Sequence, residues 1–438
     1  MRRSAARVSL GAGAVLLAGT LLVGPLLGSD GSSASSDPVA ASAAPAASPL
    51  TRSITGLQDQ LKEQDDNAEL WAQLGGAYVE QARISADPSY YPKAEGALNT
   101  SLDLVTDGND DALTALGALA NARHEFPAGA DWAHQAQQVN PANSTSWGVL
   151  ADSLVQLGDY QGATAAVQQM LDLRPGLAAY TRASYDLELH GQRDRAREAL
   201  ELALVGAFSP SDTAFCRYYL GQLAFTTGDL QEAAEQFQTG LQAVPNDPTL
   251  LAGQARVLAA RGEPDLAVAA YDRVVAARPL PDYLFEYATY LESLGRTQEA
   301  DAQFSVLDAA QQLFKANGVQ DDLTSALVAA ERGEPKAAVR HAQREWKLRQ
   351  NVDAADAMAW ALHRAGRNQE ALTYAVKANR LEGPNATFLY HRGMIEVALG
   401  MKDQARTTLR TALETNPYFS PLHAPRAQDA LERLGPGE

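Results

Sequence analysis

Cysteine is almost absent: Cys216 stands alone in 438 residues. No intramolecular disulfide can form, and a chain this long can bury enough apolar area without one. Cys216 lies beside an apolar helical stripe, where it reads as a small packing residue and not a nucleophile. Catalytic motifs are missing as well. There is no H-E-x-x-H, no G-x-S-x-G, no G-x-x-x-x-G-K-[ST] and no C-x-x-C. Those absences argue against zincin, hydrolase, P-loop and dithiol chemistry. Basic residues are in deficit, 36 Lys and Arg against 53 Asp and Glu, for a formal charge of −17. Phosphate binding needs a basic face, so nucleic acid is not an expected partner.

The charge is uneven. Residues 51–130 carry 13 acidic against 5 basic side chains, a net of −8, whereas residues 334–380 carry 5 acidic against 9 basic, a net of +4. A solvated surface accounts for most such bias. The alternative is a dipolar scaffold whose two ends prefer different partners.

A long apolar run spans Val8 to Leu27, behind Arg2, Arg3 and Arg7. Twenty helical residues span about 30 Å, the thickness of a hydrocarbon core. The arginines orient the chain N-in, C-out. The run is a retained signal anchor or a cleaved signal peptide; its length favours the anchor. The first reading gives a single-pass membrane protein with an extracytoplasmic body, the second a secreted one. Residues 28–50 are Ser, Ala, Gly, Asp and Pro apart from Val39 and Leu50, the composition of a flexible tether.

Helical periodicity fills the rest. In Thr213 to Asp247, Leu220, Gly221, Ala224 and Phe225 form one apolar stripe, and Ala233, Phe237 and Gly240 a second. Gly228 suits a left-handed helix end, Asp229 the next N-cap, and Pro245 closes the unit. A small residue recurs as Ala94, Gly129, Ala163, Ala196, Ala233, Ala267, Ala300, Ala338, Ala371 and Ala405. A turn glycine keeps the same beat from Gly158 to Gly400. Trp71-Ala72-Gln73-Leu74-Gly75-Gly76-Ala77-Tyr78 matches W-x2-L-G-x2-Y, and the spacing of the small residues matches a period of about 34. On these residues the chain resembles the tetratricopeptide repeat family over residues 67–417. The resemblance implies an all-α, right-handed solenoid of about ten helix-turn-helix units. Residues 51–66 are expected to cap it in front, and residues 418–438 to supply a capping helix and tail.

The spacing stretches near Val205–Ser211 and Phe314–Asp322, where longer helix ends or loops are expected. Asp322 and Ser325 occupy positions that the family keeps apolar. Ile84 to Pro92 reads as an inserted loop.

Family members bind protein segments along a concave groove lined by first helices, and rarely carry chemistry. Mapped residue by residue, that inner stripe includes Asp152, Tyr185, Tyr218, Gln222, Arg256, Phe285, Thr289, Asp356, Trp360, His363 and Tyr390, with Arg182 and Tyr219 beside it. Aromatics with a few arginines and amides suit a peptide groove; the bland reading is gap-filling between neighbouring helices. The expected function is a non-catalytic extracytoplasmic scaffold without cofactor or metal, tethered through residues 8–27. The alternative is a metal- or cofactor-handling accessory protein using the C-terminal repeats that bear His363 and His391.

Overall fold

The computed structural model describes residues 49–435. The Val8–Leu27 run and the stretch up to residue 48 lie outside the described residues. Among the described residues there are 22 helices and no strand, and no helix is long and apolar enough to cross a membrane.

A leading helix, α1 (Pro49–Leu61), precedes ten antiparallel pairs. The first helices are α2 (Ala68–Ser85), α4 (Asp110–Ala122), α6 (Ser144–Leu157), α8 (Leu177–Leu189), α10 (Pro210–Thr226), α12 (Pro248–Ala260), α14 (Pro281–Ser293), α16 (Asp322–Glu331), α18 (Val352–Arg364) and α20 (Ala386–Ala398). Their partners are α3 (Tyr90–Leu104), α5 (Phe126–Val139), α7 (Tyr160–Leu173), α9 (Arg193–Val205), α11 (Leu230–Ala243), α13 (Pro264–Ala277), α15 (Thr297–Ala316), α17 (Pro335–Leu348), α19 (Asn368–Ala378) and α21 (Lys402–Thr415). A final helix, α22 (His423–Leu434), follows the last pair.

Local chemistry starts and stops these helices. Asn67, Asn109, Asn143, Asp247, Asp321, Asn351 and Asn385 each accept a backbone N–H in the first turn of a first helix, satisfying donors that the helix itself leaves unpaired. Asp229 does the same for α11, accepting from the Glu232 amide at 3.0 Å. The turn inside each pair needs one left-handed residue, which glycine supplies from Gly158 onward. In the first two pairs Ala86 and His124 take that slot, with φ of 53° and 64°. The ring Nδ1 of His124 lies 3.0 Å from the Gln320 carbonyl oxygen, far along the chain.

The small-residue ruler marks the points of closest helix approach. Ala94, Ala163, Ala196, Ala233, Ala267, Ala338, Ala371 and Ala405 are wholly buried. Glycines extend the rule to the first helices: a Cβ on Gly253 would stand 2.6 Å from the Phe237 ring. The two stretched intervals become a 20-residue α15 and the 206–209 connection. The inserted segment is mostly helix: α2 runs on to Ser85 and α3 begins at Tyr90. There Tyr91 is buried and Tyr90 packs on Tyr78, ring centroids 5.9 Å apart. Asp322 opens α16 and bonds His341 and Arg344 of α17, so this polar residue is used at a helix end.

The solenoid coils back onto itself. Hydrogen bonds join residues 191 to 196 apart in sequence, which at a period of roughly 34 is about 5.7 repeats per turn. Arg349 and Asn351 both donate to Gln156 Oε1. The Gly383 amide donates to the Leu189 carbonyl at 2.9 Å, and Asn416 Nδ2 to the Phe225 carbonyl at 2.9 Å. An apolar seam accompanies them, with Val155 and Tyr160 packed with Val352 and Phe388.

Candidate binding site on the inner helix face

Arg182 forms a buried two-pronged pair with Asp152, at 2.9 and 2.7 Å. Phe285, Trp360 and Tyr390 are packed inside the fold and offer no open ring surface. Trp360 lies flat on His391, centroids 4.1 Å apart, and its indole N–H donates to Glu331 Oε1 at 2.7 Å.

The cover over these last rings is α22. His423 stacks on Tyr390 with centroids 4.9 Å apart, and its Nε2 lies 3.4 Å from Glu331 Oε2. Ala424, Ala427 and Ala430 bury the inner side of the helix. The inner face of the last repeats is therefore filled by the chain's own C-terminal helix.

Asp356 is also buried, its carboxylate 2.9 Å from His391 Nδ1. Half-buried His363 places Nδ1 2.7 Å from Asn368 Oδ1, and burial lowers its pKa. The Asp356–His391 and Glu331–His423 contacts both lie beside Trp360, and the two imidazole rings are 5.9 Å apart. Among the described residues no group of three or more His, Cys, Asp or Glu is placed to hold a metal.

The middle repeats are different. Tyr218 is buried and Tyr219 half-buried, their rings edge to face at 5.1 Å. Burial raises the Tyr219 hydroxyl far above its usual range, with Tyr218, Arg83 of α2, Tyr283 of α14 and Asp152 of α6 also acting on it. These groups come from four first helices, α2, α6, α10 and α14. Tyr185 packs into the seam between turns.

Beyond Tyr219 runs a polar chain. Arg256 Nη1 donates to Gln222 Oε1 at 2.9 Å, and its Nε and Nη2 to Glu286 at 2.6 and 2.9 Å. The Tyr271 hydroxyl donates to Glu286 Oε1 at 2.8 Å. Burial works against the Arg256 charge, and Glu286 together with Tyr218 and Tyr271 more than offsets it.

This chain forms the floor of a cleft of about 420 Å³. Phe225, Tyr271, Thr289 and Tyr290 line it, and the segment from Pro417 to Pro425 forms its other wall. Of the stripe residues named from the sequence, the cleft gathers Arg256 and Thr289. Thr289 spends its hydroxyl on the Phe285 carbonyl, 3.0 Å away. Glu286, Tyr271 and the Pro417–Pro425 wall escaped sequence reasoning. Pro417, Pro421 and Pro425 were the available signal for a segment that leaves the helical stack.

A family profile described as tetratricopeptide repeat matches residues 181–248 and 253–313, and a second such profile matches 386–419. These stretches are tetratricopeptide repeats. The array is 24% identical over 285 residues to "Cellulose synthase operon protein C" of Pseudomonas fluorescens (strain SBW25), a match that covers 61% of this chain and 22% of that protein. The chain thus spans about a fifth of that curated relative's length. Among solved structures, the array is similar to the Cut9–Hcn1 hetero-tetramer of APC/C, at 15% identity and TM-score 0.42, covering 87% of this chain and 81% of that one. It is also similar to a thermophilic tetratricopeptide protein of Thermus thermophilus, at 19% identity and TM-score 0.39, covering 44% of this chain and 99% of that one.

Proposed function

We infer that the array, built of tetratricopeptide repeats, is a protein-interaction scaffold. We propose that it is a non-catalytic, extracytoplasmic scaffold that seats an extended peptide segment of a partner protein in the cleft above Arg256 and Glu286. The observation that carries the reading is the cleft itself. It has a fixed polar floor, aromatic walls and an open mouth, the combination used to anchor one side chain and hydrogen-bond a backbone. The inner face further along is taken by α22, whereas this cleft stays open. The extracytoplasmic placement rests on the Val8–Leu27 run and its arginine flank.

A photoreactive residue at Tyr418, which lines the cleft and is 38% exposed, tests the site. Crosslinking in intact cells followed by mass spectrometry is expected to yield a partner protein. An Arg256→Ala change in the same chain is expected to reduce that product. Crosslinks unaffected by the change would move the binding face elsewhere. Protease added to spheroplasts is expected to digest the repeat array; a fully protected array would overturn the placement.

A further inference from the structure

The seam between superhelical turns uses only half of the edges that could form it. The turns inside repeats one to five meet the connections that follow repeats six to ten. Left over are the connections after repeats one to five and the turns inside repeats six to ten.

The glycines show the difference. A Cβ on Gly158 would stand 2.7 Å from the Gln350 carbonyl oxygen, one on Gly191 3.1 Å from that of Glu382, and one on Gly228 3.1 Å from Pro417. Gly262, Gly295, Gly333, Gly366 and Gly400 keep the same backbone shape, with φ of 73° to 75°. A Cβ on any of these five meets nothing within 4 Å. The turns are built alike, yet these ones press on nothing.

The other free edge is apolar. Val105 and Val139 are 43% and 41% exposed, Val205 81% and Phe208 95%. On the covered stretch of the same edge Val319, Val352, Phe388 and Phe419 are all buried. Val352 and Phe388 pack in the seam beside Val155 and Tyr160, so apolar residues near the connections serve as seam components there. Each open turn carries a base, Arg261, Arg296, Arg332, Arg367 or Lys402, and Arg296, Arg332 and Arg367 pair with Glu299, Asp308 and Glu370 of the same chain. The opposite edge carries Asp103, Asp107, Asp172, Glu201 and Asp247, with Arg174 as its base.

We propose that these two edges bind each other between copies of the chain. A second copy continues the seam, its connections after repeats three to five seated on the first copy's turns of repeats eight to ten, clear of the cleft that Gly262 and Leu294 of repeats six and seven line with residues 417–425. The contact is head-to-tail, so each added copy offers a fresh edge and copies join in a row. The internal register, Gly158 on Gln350 and Gly228 on Pro417, sets the pairing. Carried over, it places Gly366 of one copy against residues 206–208 of the next.

The test uses the full chain, purified in detergent, with cysteine introduced by Ala207→Cys in one preparation and Gln369→Cys in another. Cys216 stays silent to a short bismaleimide because it is buried, with its thiol pushed up to about 12. Mixing the two differently tagged preparations is expected to give a cross-copy product, and a chain with both substitutions a ladder. Phe208 is solvent-exposed, so Phe208→Asp leaves the fold intact, as circular dichroism will confirm. In the Ala207→Cys chain it is expected to cut the product about tenfold or more, the effect of losing an aromatic anchor. A product from the Ala207→Cys chain alone would show a two-fold symmetric contact and overturn the proposal. So would a mixture that gives no product. The cleft that Tyr418 reads borders the turns of repeats six and seven but not that of repeat nine, so the Ala207–Gln369 product is scored apart from the Tyr418 crosslink.

Discussion

The hydroxyl of Tyr160 accepts a hydrogen bond from the backbone amide of Val352 at 2.9 Å, across 192 residues of sequence. That amide opens α18, where helix geometry leaves the N–H without an internal partner. One superhelical turn thus caps a helix of the next. Tyr160→Phe keeps the ring and removes the acceptor. Leaving a buried donor unsatisfied costs about 1–3 kcal/mol. The expected readout is faster hydrogen exchange at Val352 and the first turn of α18, with a matching fall in denaturant midpoint. Unchanged exchange at Val352 would mean that the turns do not touch in solution.

Trp360→Ala should unfold the C-terminal repeats first. The ring is buried among His391, Tyr390 and His423 and holds Glu331 in place. Truncating a buried tryptophan costs about 3–5 kcal/mol. Repeats couple mainly to their neighbours, so opening is expected to be local before it is global. Calorimetry and exchange over residues 322–434 check this. A melting profile like wild type would place the ring outside the core.

Acid should weaken the same region. Burial alone would raise the Glu331 carboxyl, but His423, the Trp360 indole and His391 outweigh it and hold it at about 2 against an ordinary 4.5. A carboxyl depressed in the folded state stabilises above its unfolded pKa. That stability is lost as pH falls from about 4.5 to about 2, up to roughly 2–3 kcal/mol. Glu331→Gln should flatten the pH dependence of unfolding across this window. A slope as steep as wild type's would assign the acid sensitivity to other groups.

Gly253 faces Phe237 across the α11–α12 contact, with no room for a methyl group. Gly253→Ala adds helix propensity but overpacks the ring, at a net cost of about 1–3 kcal/mol. Gly56→Ala on α1 is the control, since a Cβ there meets nothing within 4 Å, and it should stabilise slightly. If both changes raise the denaturant midpoint alike, the close approach at Phe237 is absent in solution.

The repeat phase was legible because its causes are local. Ala267 and its equivalents must be small where two adjacent helices touch, Gly228 must turn left-handed, and Asp229 must cap the next helix. Each requirement is met within a few residues and recurs with the unit. The helical tail was legible for the same reason: Ala424, Ala427 and Ala430 mark one apolar face. What α22 covers was not. Whether Trp360 and Tyr390 line an open groove or lie beneath α22 depends on where a segment some 30 to 60 residues later comes to rest. The seam that joins Tyr160 to Val352 lies deeper still. It arises from small rotations between neighbouring repeats, summed over more than five of them, and no residue pattern within one repeat encodes that sum. Composition and periodicity therefore determined the helices and their pairing, whereas the accumulated twist of the stack decided which faces close, which stay open and where the cleft lies.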